Sequence, residues 1–170
     1  TPSTKAAQGE HDESVAPSEL YKRGAVEPGL YKELARISMR LYERGVARAA
    51  DHGMIFVDTK YEFGISNGKI MLMDEVNTPD SSRYWMKDDY EARFEKGEEP
   101  RKLDKEYVRT WLSEKGFTGK GKPPKLTDDL RVEASARYME VVEKFTGEPM
   151  QLDVGPVDKS IYSILNPFAF

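Results

Sequence analysis

Two periods alternate along the chain. Leu30, Leu34, Ile37 and Leu41 recur at helical spacing, with Arg36, Arg40, Glu43 and Arg44 on the other sides. That pattern predicts a helix from Leu30 to about Asp51, with Pro28 near its start and Gly53 just past its end. Its apolar stripe should be core, covering the hydrophobic face of the hairpin next in the chain. From Met54 the period changes to two. The runs Met54–Phe63 and Lys69–Val76 carry β-branched, aromatic and methionine residues in alternation about Ser66-Asn67-Gly68, a hairpin signature. A short helix is expected at Leu103–Leu112, with Trp111 in the core, and a long one at Asp128–Phe145. The latter turns Leu130, Ala134, Tyr138, Val141, Val142 and Phe145 inward. Residues 86–102 read as a charged loop, and Gly116–Pro124 as a flexible connector.

Strand alternation assigns the faces. Met54, Phe56, Asp58, Lys60 and Glu62 point one way, and Ile55, Val57, Thr59, Tyr61 and Phe63 the other. Three successive positions on one face are therefore charged, as they also are on the solvated face of an ordinary antiparallel sheet. The turn decides what joins them. A two-residue Asn67-Gly68 loop puts Asp74 on the face opposite Glu62. A three-residue loop puts Asp74 on the same face and leaves Tyr61, Met71 and Met73 together on the apolar side, which favours it. Asp58, Lys60, Glu62 and Asp74 then cluster. Crowded carboxylates repel unless a cation or proton lies between them, and a few oxygen ligands suit Mg²⁺ held jointly with a nucleotide phosphate. Beyond Thr78-Pro79-Asp80, which breaks the strand, Ser81, Ser82 and Arg83 offer two hydroxyls and a guanidinium fork. Such a set suits a phosphate monoester, although the three residues alone also read as a surface turn.

Composition narrows the class. The 170 residues suffice for one domain of ordinary size. A net charge of −4 and a pI near 5.4, with no basic cluster, give no electrostatic footprint for nucleic acid. The absence of cysteine excludes disulfides and thiolate metal sites and fits a cytosolic protein. No signal peptide is visible, and no apolar run reaches the roughly 18 residues of a membrane span.

The stretch DTKYEFG…GKIMLMDEV.TPDSSRYW resembles the SAICAR synthetase family, the phosphoribosylaminoimidazole-succinocarboxamide synthases of purine biosynthesis. The likeness extends upstream through TPSTKA and GEHDESV and downstream through LDKEYVRTWL and RYMEVVEKFTG, nearly all of residues 1–150. It implies an α+β fold: an antiparallel hairpin or sheet packed against helices, SAICAR synthase-like (ATP-grasp-like), of which this chain is the C-terminal portion. Residues 1–85 would belong to the central α+β domain and 86–150 to a C-terminal helical region. The tail 151–170 does not match, and its apolar content suggests docking on a surface such as a neighbouring subunit in an oligomer. The implied activity is ATP-dependent ligation of L-aspartate to carboxyaminoimidazole ribotide (CAIR), in the cytoplasm, with ATP and Mg²⁺. By matching positions Glu62 and Asp74 would hold Mg²⁺ and nucleotide. Lys60 and Asp58 would face the reacting groups. Arg83, Ser81 and Ser82 would bind the ribotide phosphate, with Asp80 orienting their loop. Lys5, His11 and Asp12 would line the cleft; without the resemblance His11 reads as a surface-loop histidine.

The family's N-terminal half, which holds ATP, is not in this sequence. A start inside a family motif, without Met, suggests that Thr1 is not the natural N-terminus and that the chain alone binds nucleotide poorly. Two alternatives stand beside the ligase: a Mg-ATP phosphotransferase of the inositol-polyphosphate-kinase type, which shares an acidic-x-Lys strand, and a non-catalytic interaction module.

Overall fold

The computed structural model describes residues 1–4, 12–150 and 155–156. The fold is α+β, as expected. Contacts divide the chain into two compact units, Thr1–Glu106 and Tyr107–Phe170.

The first unit begins with residues 1–4 beside 12–15. Thr4 donates its N–H to the Glu13 carbonyl at 3.0 Å and Val15 to that of Pro2 at 3.1 Å. Then come α1 (Pro17–Lys22) and α2 (Pro28–Asp51), each with proline in its first turn, where the missing N–H costs nothing. Four strands come next: β1 (Met54–Thr59), β2 (Glu62–Ser66), β3 (Lys69–Met73) and β4 (Ser82–Met86). They form two separate antiparallel pairs, β1 with β4 and β2 with β3. The expected single run Met54–Phe63 is thus broken at Lys60-Tyr61, and its halves join different sheets. Ser82 and Arg83, read as part of a loop and substrate site, instead open β4.

On its other edge β4 receives residues 101–103. Met86 donates to the Arg101 carbonyl at 3.0 Å, and Leu103 to that of Tyr84 at 2.9 Å. The expected start of a helix at Leu103 therefore gives way to strand-like pairing, and α3 (Tyr90–Glu95) occupies the expected loop 86–102. Met54 and Phe56 of β1, Tyr84 and Met86 of β4, Leu103, and Ala49 of α2 are all buried. Phe56 lies between Tyr42 and Tyr84, with ring centroids 5.3 and 5.0 Å away. Helix α2 meets β1 through buried Gly45 and Ala49 near its C-terminal end, whereas Leu30, Leu34, Ile37 and Leu41 are only half-buried. Small residues let the helix approach the large Phe56 ring, so the close contact runs along Gly45 and Ala49 and not along the leucine stripe.

The second unit holds nearly all of α4 (Glu106–Glu114), where Trp111 is half-buried and not core, and α5 (Asp128–Thr146). Thr127 caps α5 by accepting from the Leu130 N–H at 3.3 Å. Gly147 closes it in the left-handed conformation, φ 75°, which favours glycine. Leu130 and Val141 are buried, while Val142, expected inward, is exposed. The Arg137 guanidinium lies 4.0 Å over the Tyr107 ring.

Candidate active site

The site-bearing residues are placed by one irregularity in the β1–β4 ladder. Phe56 pairs with Tyr84 and Asp58 with Arg83, so β1 advances two residues while β4 moves one, and Val57 is the extra residue of a bulge. A bulge reverses which face the following residues occupy. Met54 and Phe56 are buried, and strict alternation would have sent Asp58 into the core with them. Beyond the bulge Asp58 instead lies opposite exposed Arg83, and Thr59 opposite buried Ser82.

Arg83 Nε donates to Asp58 Oδ1 at 2.8 Å, and Nη2 donates to Oδ2 in the same fork. The Asp58 carboxylate raises the guanidinium pKa above its ordinary value. Lys60 pairs with the carboxylates of Asp12 and Glu62, the latter at 3.0 Å. Hydrogen bonds to Asp12 first, then Glu62, hold the ammonium above the usual lysine range. Asp12 belongs to the 12–15 segment, anchored again where Arg23 Nη1 donates to Glu13 Oε2 at 3.0 Å.

The expected cluster of Asp58, Lys60, Glu62 and Asp74 is therefore divided: Asp58 goes with Arg83, and Lys60 with Asp12 and Glu62. The expected position of Asp74 rests on a three-residue turn. Pairing of Ser66 with Lys69 leaves a two-residue turn, with Asn67 at φ 50° and Gly68 at φ 72°, the left-handed pair that matches strand twist. Glu62 consequently faces Met73, and Met71 and Met73 share its side of the hairpin rather than an apolar side with Tyr61. Asp74 lies past the end of β3 at φ 62°, so strand parity no longer governs it. Among the described residues no three carboxylates or histidines gather as a metal-holding group.

The turn before β4 is held by hydroxyls. The Ser81 N–H donates to Thr78 Oγ1 at 3.3 Å, and Ser81 and Ser82 hydroxyls stand 3.2 Å apart. Ser82 is buried and donates to Thr59 Oγ1 at 2.8 Å. Asp80 lies 3.6 Å from Lys105 Nζ. Lys5 and His11 lie outside the described residues, as does most of the tail.

Asp104 is absent from the residues singled out by sequence. Its carboxylate, 1% exposed, accepts from the Tyr84 N–H at 2.9 Å and the Glu106 N–H at 2.8 Å, tying β4 to the start of α4. Burial raises its pKa against the opposing pull of those two donors. The signal that could have found it is an aspartate two residues before a helix, a capping pattern.

Two antiparallel strand pairs with helices, and Arg83 and Lys60 each held by carboxylates, define an α+β protein. The SAICAR synthetase family matches residues 1–125, and the chain belongs to that family. It is 50% identical over 150 residues to the phosphoribosylaminoimidazole-succinocarboxamide synthase of Bacteroides thetaiotaomicron, covering 87% of this chain and 48% of that protein. The SAICAR-synthase of Saccharomyces cerevisiae, solved in complex with SAICAR, superposes with a TM-score of 0.67 at 33% identity, over 83% of this chain and 46% of that one. A SAICAR synthetase solved with ADP gives a TM-score of 0.59 at 26% identity, over 84% and 48% respectively. The chain spans about half the length of the curated relatives it matches.

Proposed function

We propose that the protein serves an ATP-dependent carbon–nitrogen ligase that joins L-aspartate to CAIR, giving SAICAR, ADP and phosphate in the cytoplasm. The observation that carries this is the family match across residues 1–125, which spans every residue of the candidate site. It also favours the ligase over a kinase of the inositol-polyphosphate type. The relatives' greater length supports a working enzyme in which a further segment supplies the rest of the nucleotide site.

In the proposed reaction a carboxylate oxygen of CAIR attacks the terminal phosphorus of ATP, and ADP leaves. The aspartate amine then attacks the acyl carbon, and phosphate departs as the nitrogen loses a proton. Such chemistry rests on positioning and charge neutralisation and needs no enzyme nucleophile. Arg83 with Ser81 would hold the ribotide phosphate. Buried Ser82 acts through the loop, fixing it by its bond to Thr59. Lys60 would turn from Asp12 and Glu62 toward charge developing on the transferring phosphoryl group. Lys5, His11 and Asp12 would line the cleft, and Asp80 would orient the loop with Lys105.

Glu62 and Asp74 would hold Mg²⁺. A set of one or two protein carboxylates fits that ion, which takes its remaining oxygens from water and phosphate. When bound it would neutralise the phosphates of the nucleotide.

The test is ADP release from Mg-ATP by this sequence in the full-length enzyme. Release should require both CAIR and L-aspartate. Release that proceeds equally without L-aspartate overturns the ligase assignment.

A further inference from the structure

The bulge at Val57 sets Asp58 directly across from Arg83, and the two side chains meet through parallel N–H to oxygen contacts. The guanidinium face that would grip a phosphate monoester is therefore already occupied by a carboxylate of matching geometry. Both side chains are 48% exposed, so a ligand can reach the pair from solvent. Exposed ion pairs hold weakly, whereas a phosphate monoester near neutral pH offers three acceptor oxygens and close to two negative charges.

We propose that Asp58 is an exchangeable counter-ion: a phosphate monoester takes over the Arg83 fork, and the displaced Asp58 carboxylate is thereby released toward the reacting groups. This rests on the reading of Arg83 as the ribotide-phosphate residue. It adds an order of events, since Asp58 becomes available only after the phosphorylated substrate has bound.

Exchange and simple orientation predict opposite signs. If Asp58 only orients Arg83, removing its charge loosens the guanidinium and weakens phosphate binding. If Asp58 competes, removing its charge tightens binding by about two- to fivefold, the most an exposed pair of this kind withholds.

The experiment titrates ribose 5-phosphate into the 170-residue chain at low salt, following chemical shifts, with ribose as the unphosphorylated control. Asp58→Asn and Asp58→Ser should both bind ribose 5-phosphate more tightly than the parent. Arg83→Lys should bind it about tenfold more weakly. Ribose should not bind. Two aspartate variants are used so that a folding defect in one, visible as a lowered melting temperature, leaves the other to decide. Equal or weaker binding by the folded aspartate variants overturns the exchange, and if Arg83→Lys still loses affinity the reading of Arg83 stands. No binding by the parent and both aspartate variants, or binding indifferent to Arg83→Lys, overturns that reading and the exchange with it.

Discussion

Gly45 lies inside α2, where replacing glycine by alanine ordinarily stabilises by about 0.5–1 kcal/mol through reduced backbone entropy. Here the opposite is expected. A Cβ on Gly45 would stand 2.7 Å from Phe56 Cε1 and 2.9 Å from Asn77 Nδ2. Neither neighbour is free to retreat. Phe56 is wedged between the Tyr42 and Tyr84 rings. Asn77 accepts the Tyr61 hydroxyl on its side-chain oxygen at 2.7 Å and the Tyr84 hydroxyl on its carbonyl at 2.5 Å. Forcing an extra methyl into a packed core costs about 1–3 kcal/mol, so after the helical gain Gly45→Ala should destabilise by about 1–1.5 kcal/mol. For a unit of this size that lowers Tm by roughly 5–10 °C. Thermal and urea denaturation followed by circular dichroism measure it. The control is Gly29→Ala in the first turn of the same helix, where nothing stands within 4 Å of the added Cβ; it should leave Tm unchanged or slightly raised. A Gly45→Ala chain melting at or above the parent would refute the account of how α2 seats on β1.

Asp104→Ala strands the buried Tyr84 amide and the half-buried Glu106 amide and should cost about 2–6 kcal/mol in urea unfolding, at 1–3 kcal/mol for each group left unpaired. Because burial raises the Asp104 pKa, the folded state binds its proton more tightly than the unfolded chain. Its contribution to stability is thus fully present below the ordinary aspartate value and falls as pH rises through the folded one, a slope that Asp104→Asn should abolish. Thr127→Ala removes the α5 cap and should lower stability by about 1 kcal/mol, read by denaturant melts. In the full-length enzyme Asp74→Asn should abolish turnover without lowering the melting temperature of the ligand-free protein, since asparagine tolerates the φ of 62° as aspartate does. Its thermal shift with Mg-ATP should shrink, and an active mutant that melts lower would contradict a metal role.

How far the chain can be read from its residues depends on whether the relevant force is local. Helices α2 and α5 are legible because periodicity, Pro28, Gly53 and Gly147 all act within a few residues. The hairpin is legible from Asn67-Gly68, yet its loop length is misjudged when Tyr61, Met71 and Met73 are assumed to share one apolar face. The backbone settles it, since two consecutive left-handed residues close a two-residue turn. The Val57 bulge is not legible: MIFV is apolar at every position, so neither face is marked before Asp58, and the shift of face is set by the partner strand. That partner, SSRYWM, is hidden because its serines and arginine read as substrate chemistry, although Ser82, Tyr84 and Met86 alternate toward the core. Of the site, the residue types are legible and the pairing is not. Asp58 with Arg83 and Lys60 with Asp12 join residues 25 and 48 positions apart.

The β2–β3 hairpin has a practical consequence for handling the chain. Ile65, Met71 and Met73 are 56%, 49% and 47% exposed, and among the described residues the pair forms a sheet of two strands. Each outer edge of such a ribbon presents backbone donors and acceptors to solvent. The strand KIMLM joins that open edge to a nearly uncharged apolar sequence, the combination that templates intermolecular pairing, with Lys69 and Asp74 as its flanking charges. Concentrated preparations of the chain should self-associate through this strand. A charged residue in place of Met71 should raise the solubility limit while leaving the β1–β4 core untouched.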